Sequence, residues 1–451
     1  MKEIFSYTYA VCVECDAKIQ ARIIAEDNRV YLEKCCPEHG ISQELISSDA
    51  DWYNKSRNYV KPKQLPLDYK VKSFVSCPES CGSCSEHQQH TCLPVIEITQ
   101  KCNLDCPVCL KDLEKTPNVS VEEFSSIIDD LLRYEGKVDV INISGGEPLL
   151  HPDFDTLLDI AYQKNITQVT VSTNGEPLLH SAKIREAFKR TGSIVALQFD
   201  GFDPNTFIKL RGEDISDTKQ KIIALLESED INYSLVSTIS SRLNDKEVTK
   251  IVDFFFDSKA ISLMFQPVTY VGSATDMYEG ERITTVDVVK EIEKSKFVKE
   301  GDFNPLPCSH FSCFTLAYYI KLGDNNYISL KDFLADEYLD IIANKTLPGL
   351  DAQGLLSIRN RIYELWSAAD TSSLDSQVLE RIKGILEELS SCACDPKKTL
   401  SVGMNSMKAV FIHEFMDKHT FDFARIVKCC NPYAYKDGSL IPMCVQNVFH
   451  Q

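Results

Sequence analysis

The stretch ITQKCNLDCPVCL, residues 98–110, decides how the rest of the chain is read. It follows an apolar run, LPVIEI, and sets Cys102, Cys106 and Cys109 in a C-x3-C-x2-C spacing with no fourth cysteine. Three thiolates on one loop suit a [4Fe–4S] cube and leave one of its irons without a protein ligand. Buried unligated cysteines or part of a zinc site would account for such a triplet taken alone.

Further along, apolar runs alternate with amphipathic spacers. VDVINIS, TQVTVS, SIVALQFD, INYSLVSTI and ISLMFQPV are separated by stretches such as SVEEFSSIIDDLLRYE. Each spacer is long enough for a right-handed βαβ crossover, which predicts a parallel sheet. Six units fit between 93 and 275, whereas a closed eight-unit barrel takes about 250 residues. The second strand ends in Ser144-Gly145-Gly146-Glu147-Pro148 and the third in Ser172-Thr173-Asn174-Gly175. Bare glycines would let backbone approach a ligand, and Glu147 could accept from an ammonium.

Taken together, C-x3-C-x2-C, GGEP and STNG resemble the radical S-adenosylmethionine (SAM) superfamily over about residues 93–275. The resemblance implies a partial (β/α)6 barrel whose cluster cleaves SAM to a 5′-deoxyadenosyl radical. It puts Cys102, Cys106 and Cys109 on the cluster and Gly145, Gly146, Glu147 and Pro148 near the SAM amino group. Ser172, Thr173, Asn174, Gln198 and Asp200 would lie near its ribose and methionine parts, and Gln266 near adenine or substrate. Asp200 reads equally well as a turn residue before Gly201.

The chain has 451 residues and 18 cysteines, most of them in short-spaced groups. The start lacks the basic-then-apolar layout of a signal peptide and no apolar run spans a bilayer, so a cytoplasmic protein is expected. A reducing compartment favours metal ligation over disulfides. Residues 1–60 read as a metal-binding ribbon, in which CVEC and CCPEHG flank a hairpin turning at Asp27-Asn28. Cys12, Cys15, Cys36 and His39 would hold zinc or a rubredoxin-like iron, with Cys35 a competitor for the third position. Residues 61–92 carry Cys77, Cys81, Cys84 and Cys92, enough for a fully ligated auxiliary [4Fe–4S] cluster; His87 and His90 read as surface or supporting groups. Residues 276–451 form a C-terminal region of α+β character, with helices expected over 354–370 and 373–391. There Cys308, Cys313, Cys430 and Cys444 could hold a second auxiliary cube, with Cys429 the alternate to Cys430. Cys392 and Cys394 have no evident partner.

These groups, with LQFDG, LRG and SVGMNSMKAVFIHEFMD, resemble the tetraether-lipid-synthase-like radical SAM proteins, a group that includes dihydropterin methylases. The first reading is therefore C–C bond formation at an unactivated carbon of a lipid chain. An apolar tunnel would then draw on Phe303, Phe311, Phe314, Leu316, Tyr318 and Tyr319, though ordinary core explains those residues too. The second reading is radical methylation of a pterin-like heterocycle. A third, from another class, is a non-catalytic iron–sulfur electron carrier, which has no use for an exposed iron.

A net charge of −18 argues against nucleic acid as a partner. The expected partners are a small-molecule or lipid substrate and a small redox donor such as ferredoxin or flavodoxin. No membrane span is expected, although peripheral contact stays open. Cys106→Ala should abolish SAM cleavage and leave the other metal groups loaded, as measured by 5′-deoxyadenosine formation alongside iron content.

Overall fold

The computed structural model describes residues 2–59, 65–71, 77–78, 81–110, 117–307, 309–323, 325–334, 338, 342, 380–381, 383–385, 387–388 and 396–450. Cys308, Cys392, Cys394 and the helix expected over 354–370 lie outside them, as does most of the one expected over 373–391.

The N-terminal ribbon is an antiparallel meander of β1 (Glu3–Val11), β2 (Lys18–Glu26), β3 (Arg29–Cys36) and β4 (Gly40–Ser47). Asp27 and Asn28 make the β2–β3 turn, both at positive φ (49° and 58°). Positive φ at both central residues is what a two-residue turn between twisted strands demands, and Asp and Asn tolerate it.

The barrel strands follow in the order expected. They are β5 (Val95–Thr99), β6 (Val140–Gly145), β7 (Gln168–Thr173), β8 (Ile194–Gln198), β9 (Tyr233–Ile239) and β10 (Ser262–Pro267). Each pairs in parallel with the next. Helices connect them on the outside. Val121–Glu135 shows why they form: Ser120 and Glu123 make a reciprocal capping box, and Phe124, Ile127, Ile128 and Leu131 turn one buried face to the sheet.

Strand alternation sorts the residues of the sheet. Ile96, Ile98, Ile141, Ile143, Val171, Val195, Leu197 and Phe265 join the hydrophobic core. Their neighbours in sequence face the barrel interior, which holds a cavity of about 510 Å³. Closed barrels of this kind fill their interior with bulky branched side chains. Here Ser172, Ala196 and Ser234 are among the inward residues, and they leave room.

The C-terminal region does not stand apart from this sheet. β14 (Met407–His413) adds in parallel to β10 and carries β12 (Phe314–Gly323) antiparallel beyond it. At the opposite edge, β15 (Pro432–Ala434) pairs with β5 and with β16 (Leu440–Pro442). With β11 (Asn304–Pro305) and β13 (Asn326–Ser329), the sheet reaches twelve strands. Both barrel edges are thereby covered, which protects them from unwanted strand pairing. Phe124→Ala, which empties a fully buried site in the main hydrophobic core, should destabilise the protein by about 3–5 kcal/mol. A lower denaturant midpoint with native-like far-UV circular dichroism would show it.

Candidate active site and metal centres

The loop after β5 brings Cys102, Cys106 and Cys109 to one end of the barrel cavity. That end is the carboxyl end of the parallel strands, where open and closed α/β sheets bind ligands. Backbone contacts to the next strand end hold the loop in place. Gly146 N donates to Thr99 O (2.8 Å) and Glu147 N to Lys101 O (2.7 Å). At Gly145, φ is +142° and a Cβ would stand 2.1 Å from Thr99 O; at Gly146 it would stand 2.5 Å from Lys101 O. The two glycines thus admit the cysteine loop itself, in addition to lining the cavity. The far end of the loop is tied down where Ser273 N donates to Cys109 O (3.1 Å).

Glu147 departs from the role expected of it. Its carboxylate is fully buried and accepts from Leu149 N (3.0 Å), Thr173 Oγ1 (2.6 Å) and Asn174 N (2.8 Å). It fastens the β6 turn to the β7 turn, and neither it nor Pro148 lines the cavity. Ser172, Thr173 and Asn174 do line it, as do Gln198 and Gln266.

Asp200 is likewise fully buried and holds another side chain. Arg211 grips it in bidentate fashion (Nε to Oδ2, 2.7 Å; Nη2 to Oδ1, 2.8 Å), and Gln198 and the Thr238 amide also donate to it. Such a fork fixes the guanidinium plane. Arg211 lines the cavity beside Cys106, where its charge opposes the upward push of burial on that thiol. Burial pushes Cys102 up to about 11, and Glu147 and the other two thiols add to the shift. Lys219, also buried, donates to Asn174 O (2.5 Å) and is brought down to about 7 by burial and then by Arg211. The sequence reading assigned no role to Arg211 or Lys219. Arg211 left a trace in LRG, whereas Lys219 is one more polar residue in the amphipathic segment Ser216–Ser228.

In the ribbon, Cys12, Cys15, Cys36 and His39 place their ligand atoms within 4.8 Å of one another. His39 Nδ1 lies 3.6 Å from Cys12 Sγ and 3.4 Å from Cys36 Sγ. Hydrogen bonding from the His39 backbone helps hold the Cys36 thiol down to about 6. Cys35 is exposed on the opposite face of β3, so alternation resolves the choice between the two in favour of Cys36. The donor set and its closeness fit a single tetrahedral ion. Glu44 on β4 then joins the ribbon to the barrel. It accepts from Tyr278 Oη (2.7 Å) and Arg282 Nε (3.2 Å), and Arg282 also grips Asp417, which accepts from Tyr270 N (3.1 Å).

Residues 96–255 match the radical SAM superfamily, and residues 4–48 match the HMPTM N-terminal zinc ribbon domain. The chain is a radical SAM enzyme. It is similar to the 7,8-dihydro-6-hydroxymethylpterin dimethyltransferase of Methanocaldococcus jannaschii, at 28% identity over 98% of this chain and 94% of that protein. It also resembles the Fe-coproporphyrin III synthase of Methanosarcina barkeri (31% identity, 41% of this chain, 46% of that one). A third relative is the S-adenosylmethionine-dependent nucleotide dehydratase of Selenomonas ruminantium (31%, 26% and 41%). The site of this radical SAM enzyme fits the cofactor pair. Three half-buried thiols on one loop suit a cationic iron core, and the open cavity and the fixed Arg211 guanidinium lie beside them.

The remaining cysteines regroup relative to the sequence expectation. Cys77, Cys81 and Cys84 line a second cavity, but Cys92 lies elsewhere: its amide donates to Cys430 O (2.8 Å), and both residues line the barrel cavity. Cys430 lines the barrel cavity, whereas Cys444 packs against the core cluster of Met416, Phe421 and Ile426. Cys313 and Cys444 lie beside the Arg425 guanidinium, and Cys429 lies near both of them and near Cys81. The fold separates Cys429 from Cys430 by turning the chain between the last helical turn and β15. In the radical SAM enzyme, Gly146→Ala should cost most of the iron bound by Cys102, Cys106 and Cys109 by displacing the Lys101 backbone. Iron analysis of protein whose other cysteine groups are intact would show a loss of about four irons per chain.

Proposed function

We propose that this radical SAM enzyme methylates a pterin-like heterocycle. The observation that carries the reading is similarity along nearly the whole chain to a protein named for dimethylating 7,8-dihydro-6-hydroxymethylpterin. The sequence alone put lipid C–C bond formation first and pterin methylation second, and this similarity reverses the order.

With a [4Fe–4S] cluster on Cys102, Cys106 and Cys109, bound SAM supplies one-electron carbon–sulfur cleavage and hydrogen abstraction from unreactive carbon. The chain's own residues do the remainder. Arg211, locked by Asp200, offers a fixed fork for a carboxylate beside the cysteines. Ser144, Ser172, Gln198, Thr238 and Gln266 ring the upper cavity with hydrogen-bonding groups. Phe314 and His413 stack with ring centroids 3.7 Å apart, and Phe415 packs beside them; all three line the cavity and offer flat surfaces to a heterocycle. The enclosing walls keep water from a reactive carbon centre. A small redox donor such as ferredoxin or flavodoxin supplies the electron in this reading.

One observation favours the lipid reading as a second choice. The wall made by the C-terminal strands is apolar, with Leu306, Leu316, Met407, Ala409 and Phe411 facing the cavity. Of the residues named for a tunnel, Phe314, Leu316 and Tyr318 line this cavity, on alternate positions of β12. Phe303 and Tyr319 belong to the core, and Phe311 packs edge-on against Tyr53. No helix among the described residues is long and apolar enough to cross a membrane.

Anaerobically reconstituted protein given SAM and a strong reductant should form 5′-deoxyadenosine faster with a reduced pterin, together with a methylated pterin product. Stimulation by long-chain lipid alone, with deuterium passing from the chain into 5′-deoxyadenosine, would replace this reading with C–C bond formation.

A further inference from the structure

Cys77, Cys81, Cys84 and His87 face one cavity of about 160 Å³, closed on another side by Ile426 and Val427. None of these four residues lines the barrel cavity beside Cys102, Cys106 and Cys109. Their spacing is C-x3-C-x2-C-x2-H, and a turn in which His87 N donates to Cys84 O (3.0 Å) carries the histidine round to the thiols. Cys92, the residue that four-thiol spacing would choose, faces the barrel cavity instead.

The hydrogen bonding of His87 fixes which ring nitrogen is available. Nε2 lies 2.6 Å from the carbonyl oxygen of Cys429. A carbonyl oxygen only accepts, so Nε2 carries the hydrogen and Nδ1 of the neutral ring carries the lone pair. Metal-binding histidines characteristically donate their other ring N–H to a backbone carbonyl or carboxylate, which sets both tautomer and orientation. His87 is therefore arranged as a ligand is, whereas a surface histidine would have no reason to be.

We propose that Cys77, Cys81, Cys84 and His87 hold an auxiliary [4Fe–4S] cluster in which His87 Nδ1 is the fourth ligand. Replacing one thiolate by a neutral imidazole removes a negative charge from the site, and histidine ligation raises the potential of iron–sulfur centres. The site then accepts electrons more readily than a four-thiolate cube. The Cys429 carbonyl that orients His87 belongs to a residue whose thiol lies near Cys313 and Cys444, a second candidate group, and near Cys81 of the first. The proposal does not depend on whether the substrate is a pterin or a lipid.

The test uses full-length protein reconstituted anaerobically, with zinc in the ribbon so that His39 adds no paramagnetic signal. SAM is left out so that its amino nitrogen does not contribute. Pulsed electron paramagnetic resonance of the reduced protein should show strong coupling from one directly bonded nitrogen. His87→Cys should abolish that coupling, keep the iron content and lower the midpoint potential of the cluster, while Cys92→Ser should change none of these. The proposal is overturned by the absence of directly bonded nitrogen in the unmodified protein, or by its persistence in His87→Cys. It is equally overturned if Cys92→Ser removes the cluster, about four irons per chain. Loss of iron in Glu86→Gln with full retention in His87→Ala would transfer the fourth position to the carboxylate that lines the same cavity.

Discussion

The close approach of two strand ends governs this structure. The loop that carries Cys102 lies so near the Gly145-Gly146 turn that a methyl group on either glycine would overlap its carbonyl oxygens. The amides of Gly146 and Glu147 use that nearness to bind Thr99 and Lys101. Glu147 then turns inward and binds the β7 turn, so three successive strand ends become one rigid unit. A cysteine loop without this backing would have to order itself around its cluster, at a cost of roughly 1–2 kcal/mol per residue fixed. GGEP therefore acts first on the protein itself, and only through it on the cofactor.

The same economy of fixed parts extends outward. Asp200 orients Arg211 through a two-nitrogen fork, and Asp417 orients Arg282 by taking Nη2 on both carboxylate oxygens, each pair buried. The second pair binds the ribbon through Glu44 and the Tyr270 segment through its amide. That segment continues to Ser273, whose amide holds Cys109. A continuous run of hydrogen bonds and backbone thus connects the ribbon to the loop of Cys102, Cys106 and Cys109. The covering of both barrel edges by β14 and β15 completes the enclosure in which the cavity sits.

Much of this was legible in the residues. The apolar runs gave the six parallel strands in order, because a strand buried under helices must be apolar at alternate positions at least. Asp27-Asn28 gave the ribbon turn, and CVEC with CCPEHG its metal site, since both depend on local geometry. What stayed hidden depends on distant partners. β14 lies some 140 residues beyond the strand it pairs with, and nothing local in MKAVFIH names β10 as its neighbour. Closeness along the chain puts Cys92 with Cys77, Cys81 and Cys84, yet its amide is bonded to Cys430 across the fold. Glu147 and Asp200 looked like ligand contacts because their motif marks a site, but burial gives each a protein partner instead. His87 lies among four cysteines whose number alone suits a complete ligand set.

The account stands or falls on the iron that Cys102, Cys106 and Cys109 leave open. The most direct measurement is electron paramagnetic resonance of the reduced protein with and without SAM, in a variant whose other cysteine groups are removed. The account predicts a SAM-dependent change in the spectrum of that cluster, with coupling to the SAM amino nitrogen. A fully assembled cluster whose spectrum is unaffected by saturating SAM would contradict it.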